Sequence, residues 1–101
     1  MKVYQGTELK LNIGIEPVSG LTMDEYDFTV EVYCFQNKAI KFNKADAIRV
    51  DANNYMVLVD TTSTGVGELK CKVTAQIPDG DFKDGIRTEI EMVSTNITIV
   101  K

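Results

Sequence analysis

Asp79, Asp81 and Asp84 fall within one short stretch, Ile77 to Ile90, read as IPDGDFKDGIRTEI. Closely spaced carboxylates can hold a divalent cation or share acid–base work. An EF-hand loop needs D-x-[DN]-x-[DN]-G and a later glutamate. Asp79 and Asp81 meet its first two positions, but the third ligand position falls on Lys83, a cation where a carboxylate is required. Asp84-Gly85 comes one residue late. A hydrolytic pair would need a shielded cleft to split its two pKa values, and so polar a run is expected in solvent. Turn chemistry accounts for the stretch better. Pro78 presets φ and lacks a donor, so it ends a strand. Asp79-Gly80 and Asp84-Gly85 are turn dipeptides. The stretch therefore reads as a hairpin connection, with Phe82 tucked back onto the edge of the core and Arg87 and Glu89 sharing the outward face of the next strand. No metal ligand set and no catalytic pair is assigned to it.

Other reactive groups are few. The chain has no histidine, which removes Ser-His and Cys-His nucleophile pairs and the commonest zinc ligand. Cys34 and Cys71 both fall on inward faces of expected strands. They could form an inter-sheet bridge of the antibody type or remain buried thiols. With no secretory leader in view, free thiols are the expectation. Asn96-Ile97-Thr98 matches the glycosylation acceptor pattern and is read as a chance match without a secretory route. Tyr4, Tyr26, Tyr33, Phe35 and Tyr55 could form a platform for a sugar or a partner, but nothing in their spacing forces them together; cover for sheet edges is the commoner use. No enzyme activity and no cofactor is expected.

Composition sets the frame. The 101 residues fit one domain, 1–101. Charged residues make up 26% and the net charge is −4, an ordinary, mildly acidic surface. Eleven Lys and Arg scattered among fifteen acids provide no basic patch to displace counterions from phosphate, so nucleic acid is not an expected partner. No run approaches the ~20 apolar residues of a membrane span. The start, MKVYQGTELKL, has neither an apolar h-region nor a small-residue cleavage site. Synthesis in the cytosol is expected, with no membrane association.

Period-two alternation dominates the chain, and that is the signature of half-buried strands. In ELKLNIGI, Leu9, Leu11, Ile13 and Ile15 share one face. In DFTVEVYCF, Phe28, Val30, Val32 and Cys34 alternate with Thr29, Glu31, Tyr33 and Phe35, and the half-aromatic second face suggests cover on both sides. ELKCKVTAQI is the cleanest case, with Leu69, Cys71, Val73, Ala75 and Ile77 pointing one way. IRTEIEMV and NITIVK follow. AIKFNK and AIRVD read as short strands, and ANN as a hairpin turn into YMVLVD that uses the tolerance of Asn for positive φ. EPVSGLTMDEY reads as a crossover between sheets, with one helical turn in LTMDEYD capped by Thr22. Gly65 and Gly67 break the chain before the next strand. Seven or eight short strands with regular turns predict an all-β, immunoglobulin-like antiparallel β-sandwich, with a small barrel as the alternative.

Three stretches together carry a resemblance. DFTVEVYCF follows SGLTMDEY; then comes NNYMVLVDTTSTGVGELKCKVTAQIPD; then DFKDGIRTEI followed by STNITIVK. This order, from about Leu9 to Val100, resembles the small Ig-like domains of bacteriophage tail and baseplate proteins. The nearest is the N-terminal domain of the baseplate upper protein family, with its relatives in prophages of gut Bacteroidetes. The resemblance implies a non-enzymatic structural or interaction module of a tail or baseplate, located in the virion. Its partners would be other tail proteins or further copies of itself. Because the chain ends with the domain, no fibre or receptor-binding part is expected. The contact candidates are the acidic loop, with Asp79, Asp81, Phe82 and Asp84, and the last strand, with Asn96, Ile97, Thr98 and Ile99, taken as an open edge. The alternative is a carbohydrate- or protein-binding β-sandwich of a bacterial surface system.

Overall fold

A computed structural model describes residues 1–15, 21–35 and 39–101. Its strands are β1 (Lys2–Tyr4), β2 (Glu8–Gly14), β3 (Asp27–Tyr33), β4 (Ile40–Asn43), β5 (Ile48–Asp51), β6 (Asn54–Asp60), β7 (Gly67–Pro78) and β8 (Ile86–Val100). One sheet runs β1-β8-β7-β3-β4 and the other β2-β6-β5. The two sheets form an all-β sandwich. β2 and β3 lie in different sheets, so the connection between them crosses over as expected. Part of it, residues 16–20, lies outside the described residues.

The alternation read from the sequence sets the core. On β7, Leu69, Cys71, Val73, Ala75 and Ile77 are all buried, and they meet Leu11, Ile13, Val57 and Val59 of the smaller sheet together with Phe28, Val30 and Val32 of β3. Burying an aliphatic side chain of this size is worth roughly 1.5–3 kcal/mol. Phe28, fully buried, anchors the β3 end and meets Tyr26 and Tyr55 edge-on, with ring centroids 6.5 and 5.0 Å away. The double cover expected for β3 holds at Tyr33, which is buried, but not at Phe35, which is exposed.

Several local features differ from expectation. β1 was not anticipated; it is three residues long and runs parallel to the end of β8. The helical turn exists, as a 3-10 turn over Met23–Glu25, but the Thr22 side chain does not cap it. Instead Glu25 N–H donates to the Thr22 carbonyl at 3.0 Å. The turn between β5 and β6 forms without any asparagine at positive φ; among the described non-glycine residues only Asn96 has one, at 56°. Asp51 closes that turn with its side chain, accepting from Asn53 N–H at 2.9 Å and from the Asn54 amide at 2.9 Å, and these bonds lower its pKa. The segment before Gly65 is a single helical turn, α1 (Thr61–Thr64), capped by Asp60, which accepts from Thr62 N–H at 2.9 Å.

α1 also ties down the turn that carries the chain from β1 in one sheet to β2 in the other. Thr61 is fully buried, yet polar. Its Oγ1 donates to the Thr7 carbonyl at 2.7 Å and accepts from Gly6 N–H at 2.8 Å. Both groups belong to the turn between β1 and β2, and Gly6 sits at φ +100°, which favours glycine. Replacing Thr61 with valine keeps the shape but leaves the Gly6 N–H without its acceptor, and the Thr7 carbonyl with only the Thr61 backbone N–H at 3.3 Å. The expected loss is about 1–3 kcal/mol, read as a lower urea midpoint, whereas Thr61→Ser retains most of the stability.

Candidate interaction surfaces

Backbone bonds of the acidic stretch make two consecutive turns. Asp79 N–H donates to the Gly85 carbonyl at 2.9 Å, Phe82 N–H to the Asp79 carbonyl at 3.2 Å, and Gly85 N–H to the Phe82 carbonyl at 2.8 Å. Asp79 is an internal fastener: its Oδ1 accepts from Asp81 N–H at 3.1 Å and its Oδ2 from Arg87 Nε at 3.1 Å. Arg87 continues to Glu89 through Nη1. With both oxygens of Asp79 engaged inside the turn, the carboxylates do not converge; among the described residues no group of three or more His, Cys, Asp or Glu side chains is placed to hold a metal ion. The stretch is the hairpin connection that turn chemistry predicts. Phe82 does not tuck back. It is 49% exposed, because the paired turns carry it to the tip of the hairpin, away from the core. Asp81, Phe82 and Asp84 therefore all face solvent.

The last strand is not the open edge anticipated. Lys2, Val3 and Tyr4 of β1 pair with Thr98, Ile99 and Val100, Thr98 N–H donates to the Met1 carbonyl at 2.8 Å, and Gln5 N–H donates to the Val100 carbonyl at 2.7 Å. Ile97 and Ile99 are core residues. Asn96 is exposed and Thr98 half-buried. A bulge explains the change along β8. Partners of β7 shift from Glu68↔Thr98 to Lys70↔Ser94, so Thr95, Asn96 and Ile97 together oppose Leu69. Thr95 Oγ1 donates to the Leu69 carbonyl at 2.7 Å and accepts from Ile97 N–H at 3.2 Å. Bulges of this kind redirect a strand and end its pairing. Here the bulge divides β8 into a sealed C-terminal part and a hairpin part, Ile86 to Val93, that among the described residues pairs with β7 alone.

That hairpin part carries an inverted pattern. Arg87, Glu89 and Glu91 stand opposite Ile77, Ala75 and Val73, on the inward side. Ile86, Ile90 and Met92 point outward and are 47%, 60% and 55% exposed. A cavity of about 310 Å³ opens there, lined by Ile15, Ala75, Ile77, Glu89, Ile90 and Glu91.

The aromatic residues do not assemble. Tyr26, Tyr33 and Tyr55 are buried. Tyr4 and Phe35 are exposed, but β1 and β3 are separated by β8 and β7, about 14 Å at normal strand spacing.

The strongest polar cluster escaped sequence reasoning. Arg49 on β5 grips Asp24 with both Nε and Nη2, at 3.0 and 2.9 Å, and the Tyr55 hydroxyl donates to Asp24 Oδ1 at 2.5 Å. Lys44 Nζ donates to the carbonyls of Asp24 and Tyr26 at 3.0 and 2.8 Å and lies 5.8 Å from the Phe28 ring centroid. The cluster fastens the end of the crossover to the smaller sheet. Arg49 and Tyr55 are direct cross-strand neighbours, a fact invisible until the pairing is known. Hydrogen bonds from Arg49 and Tyr55 hold the Asp24 carboxyl down from 3.8 to about 2, and the Asp24 bond raises the Tyr55 pKa. Because the folded-state value is depressed, the stabilisation is complete above about pH 4 and is lost as pH falls through about 2. Urea midpoints measured from pH 5 to pH 2 should fall more steeply for the native chain than for Asp24→Asn.

Cys34 and Cys71 are both free. They also occupy one sheet: β3 and β7 are neighbours, and Val32, not Cys34, faces Cys71. Cys34 lies just past the end of β3, 3.5 Å from the carbonyls of Gly65 and Gly67. Burial raises both thiols, Cys71 to about 11. A thiol reagent at pH 8 should modify Cys34 slowly and Cys71 only on unfolding, with two equivalents released in denaturant. No family model, curated protein or solved structure matches the chain.

Proposed function

We propose that the chain is an immunoglobulin-like module with a structural, non-enzymatic role in a phage or prophage tail or baseplate assembly. The observation that carries the fold half of this reading is the strand order. β2-β6-β5 facing β3-β7-β8, with β4 added beside β3, corresponds to the B-E-D and C-F-G strands of immunoglobulin sandwiches, with β4 in the place of C′. The chain departs from antibody domains in having no tryptophan and no inter-sheet disulfide.

The geometry of the charged groups supports a structural role. Asp24, Arg49, Asp79 and Arg87 are each engaged in fastening a connection to a sheet. Function then rests on what the surface presents: the exposed hairpin tip at Asp81, Phe82 and Asp84, and the outward row of β8. The tail or baseplate placement rests on the sequence resemblance from Leu9 to Val100. It is tested on particles induced from the bacterium that carries the gene. Mass spectrometry of purified virions should recover the chain in fixed proportion to the major tail proteins. Particles that lack it, or a gene lying outside any prophage, would overturn the placement.

A further inference from the structure

We propose that the hairpin half of β8 is a self-recognition edge, through which two copies of this chain pair antiparallel about Thr88 and join their larger sheets into one. The phase of the β7–β8 ladder comes first. Asp79 N–H bonds the Gly85 carbonyl, and bonding positions alternate along an antiparallel pair. Arg87, Glu89 and Glu91 therefore direct their backbone groups to β7. Ile86, Thr88, Ile90 and Met92 direct theirs to the open side, where no described strand receives them. The same four residues carry the exposed, mostly apolar outer row. Natural sheets usually blunt an open edge with charge, inward-pointing charge included, with a proline or with an early bulge. Among the described residues this one remains open over the whole of Ile86 to Val93; its bulge comes only afterwards, and the device it carries is the inward charge of Arg87, Glu89 and Glu91.

Charge complementarity identifies the occupant as a second copy. A two-fold axis perpendicular to the sheet must pass through one residue, since facing side chains have to share a side. About Thr88, the two threonines face each other, Ile86 faces the partner's Ile90, and Arg87 faces the partner's Glu89, each twice. Threonine pairs, aliphatic pairs and opposite charges are all favourable cross-strand neighbours. Sliding by one residue about Glu89 sets two glutamates face to face. Sliding the other way, about Arg87, sets two arginines together, and an axis at Ile90 opposes Glu89 with the partner's Glu91. The inward charges that would repel a generic strand thus select one register of this strand against itself. The contact is short, so a weak, concentration-dependent dimer is expected, at the small end of specific interfaces.

Sedimentation velocity between about 5 and 500 µM reads the equilibrium, a range suited to small, transient contacts. The native chain should move from monomer toward dimer. Thr88→Pro removes an outward-facing backbone donor, at a place where an edge strand tolerates proline, and with it the exposed bond from Thr88 Oγ1 to Gln76 Oε1 at 3.1 Å, so circular dichroism should be unchanged while the dimer weakens at least tenfold. Arg87→Glu and Glu89→Arg supply a readout independent of the proline. Each alone should remain monomeric, and an equimolar mixture should form the heterodimer. A native chain that is monomeric throughout the range would overturn the proposal. So would a Thr88→Pro dimer as strong as the native one, or charge variants that fail to pair on mixing.

Discussion

The dry row on β7 is the constraint on which the molecule is built. Leu69, Cys71, Val73, Ala75 and Ile77 occupy the strand that pairs with both of the other long strands of its sheet, β3 and β8. Because side chains alternate along a strand, a slip of one residue would turn all five to water and Lys70, Lys72 and Gln76 to the core. Both neighbours are therefore fixed in register by β7, and through them β4 and β1. The smaller sheet is held against this row by Leu11, Ile13, Val57 and Val59.

Around that core, four of the connections are fastened by specific polar contacts. Thr61 holds the turn between β1 and β2, Asp24 with Arg49 and Tyr55 holds the end of the crossover, Asp51 closes the β5–β6 turn, and Asp79 with Arg87 closes the last hairpin. Buried or half-buried polar groups are costly when unpaired, so these contacts specify where each loop lies more than they add to total stability. Of the three carboxylates that attract notice as chemistry in the sequence, Asp79 is such a fastener, whereas Asp81 and Asp84 face solvent.

What was legible in the sequence was whatever local periodicity controls. The inward rows of β2 and β7, the short strands β4 and β5, and the turn at Asp79 to Gly85 follow from alternation and turn residues alone. What was not legible depended on pairing between distant segments. β1 is three residues with no apolar pattern, and becomes a strand only because the end of β8 offers it a ladder. Ile97 and Ile99 look like an exposed tail until that ladder covers them. Phe82 looked like an anchor because it is aromatic, but twin turns set its position. Asp24 and Arg49 are 25 positions apart, and only the β5–β6 register brings Arg49 beside Tyr55.

The parallel seam between β1 and the end of β8 has a mechanical consequence. The two strands run the same way, and the chain enters at one end of the seam and leaves at the other. Tension applied between Lys2 and Val100 would load its rungs side by side, in shear, and not one after another as in opening a zipper. Such a joint resists extension until several bonds yield together.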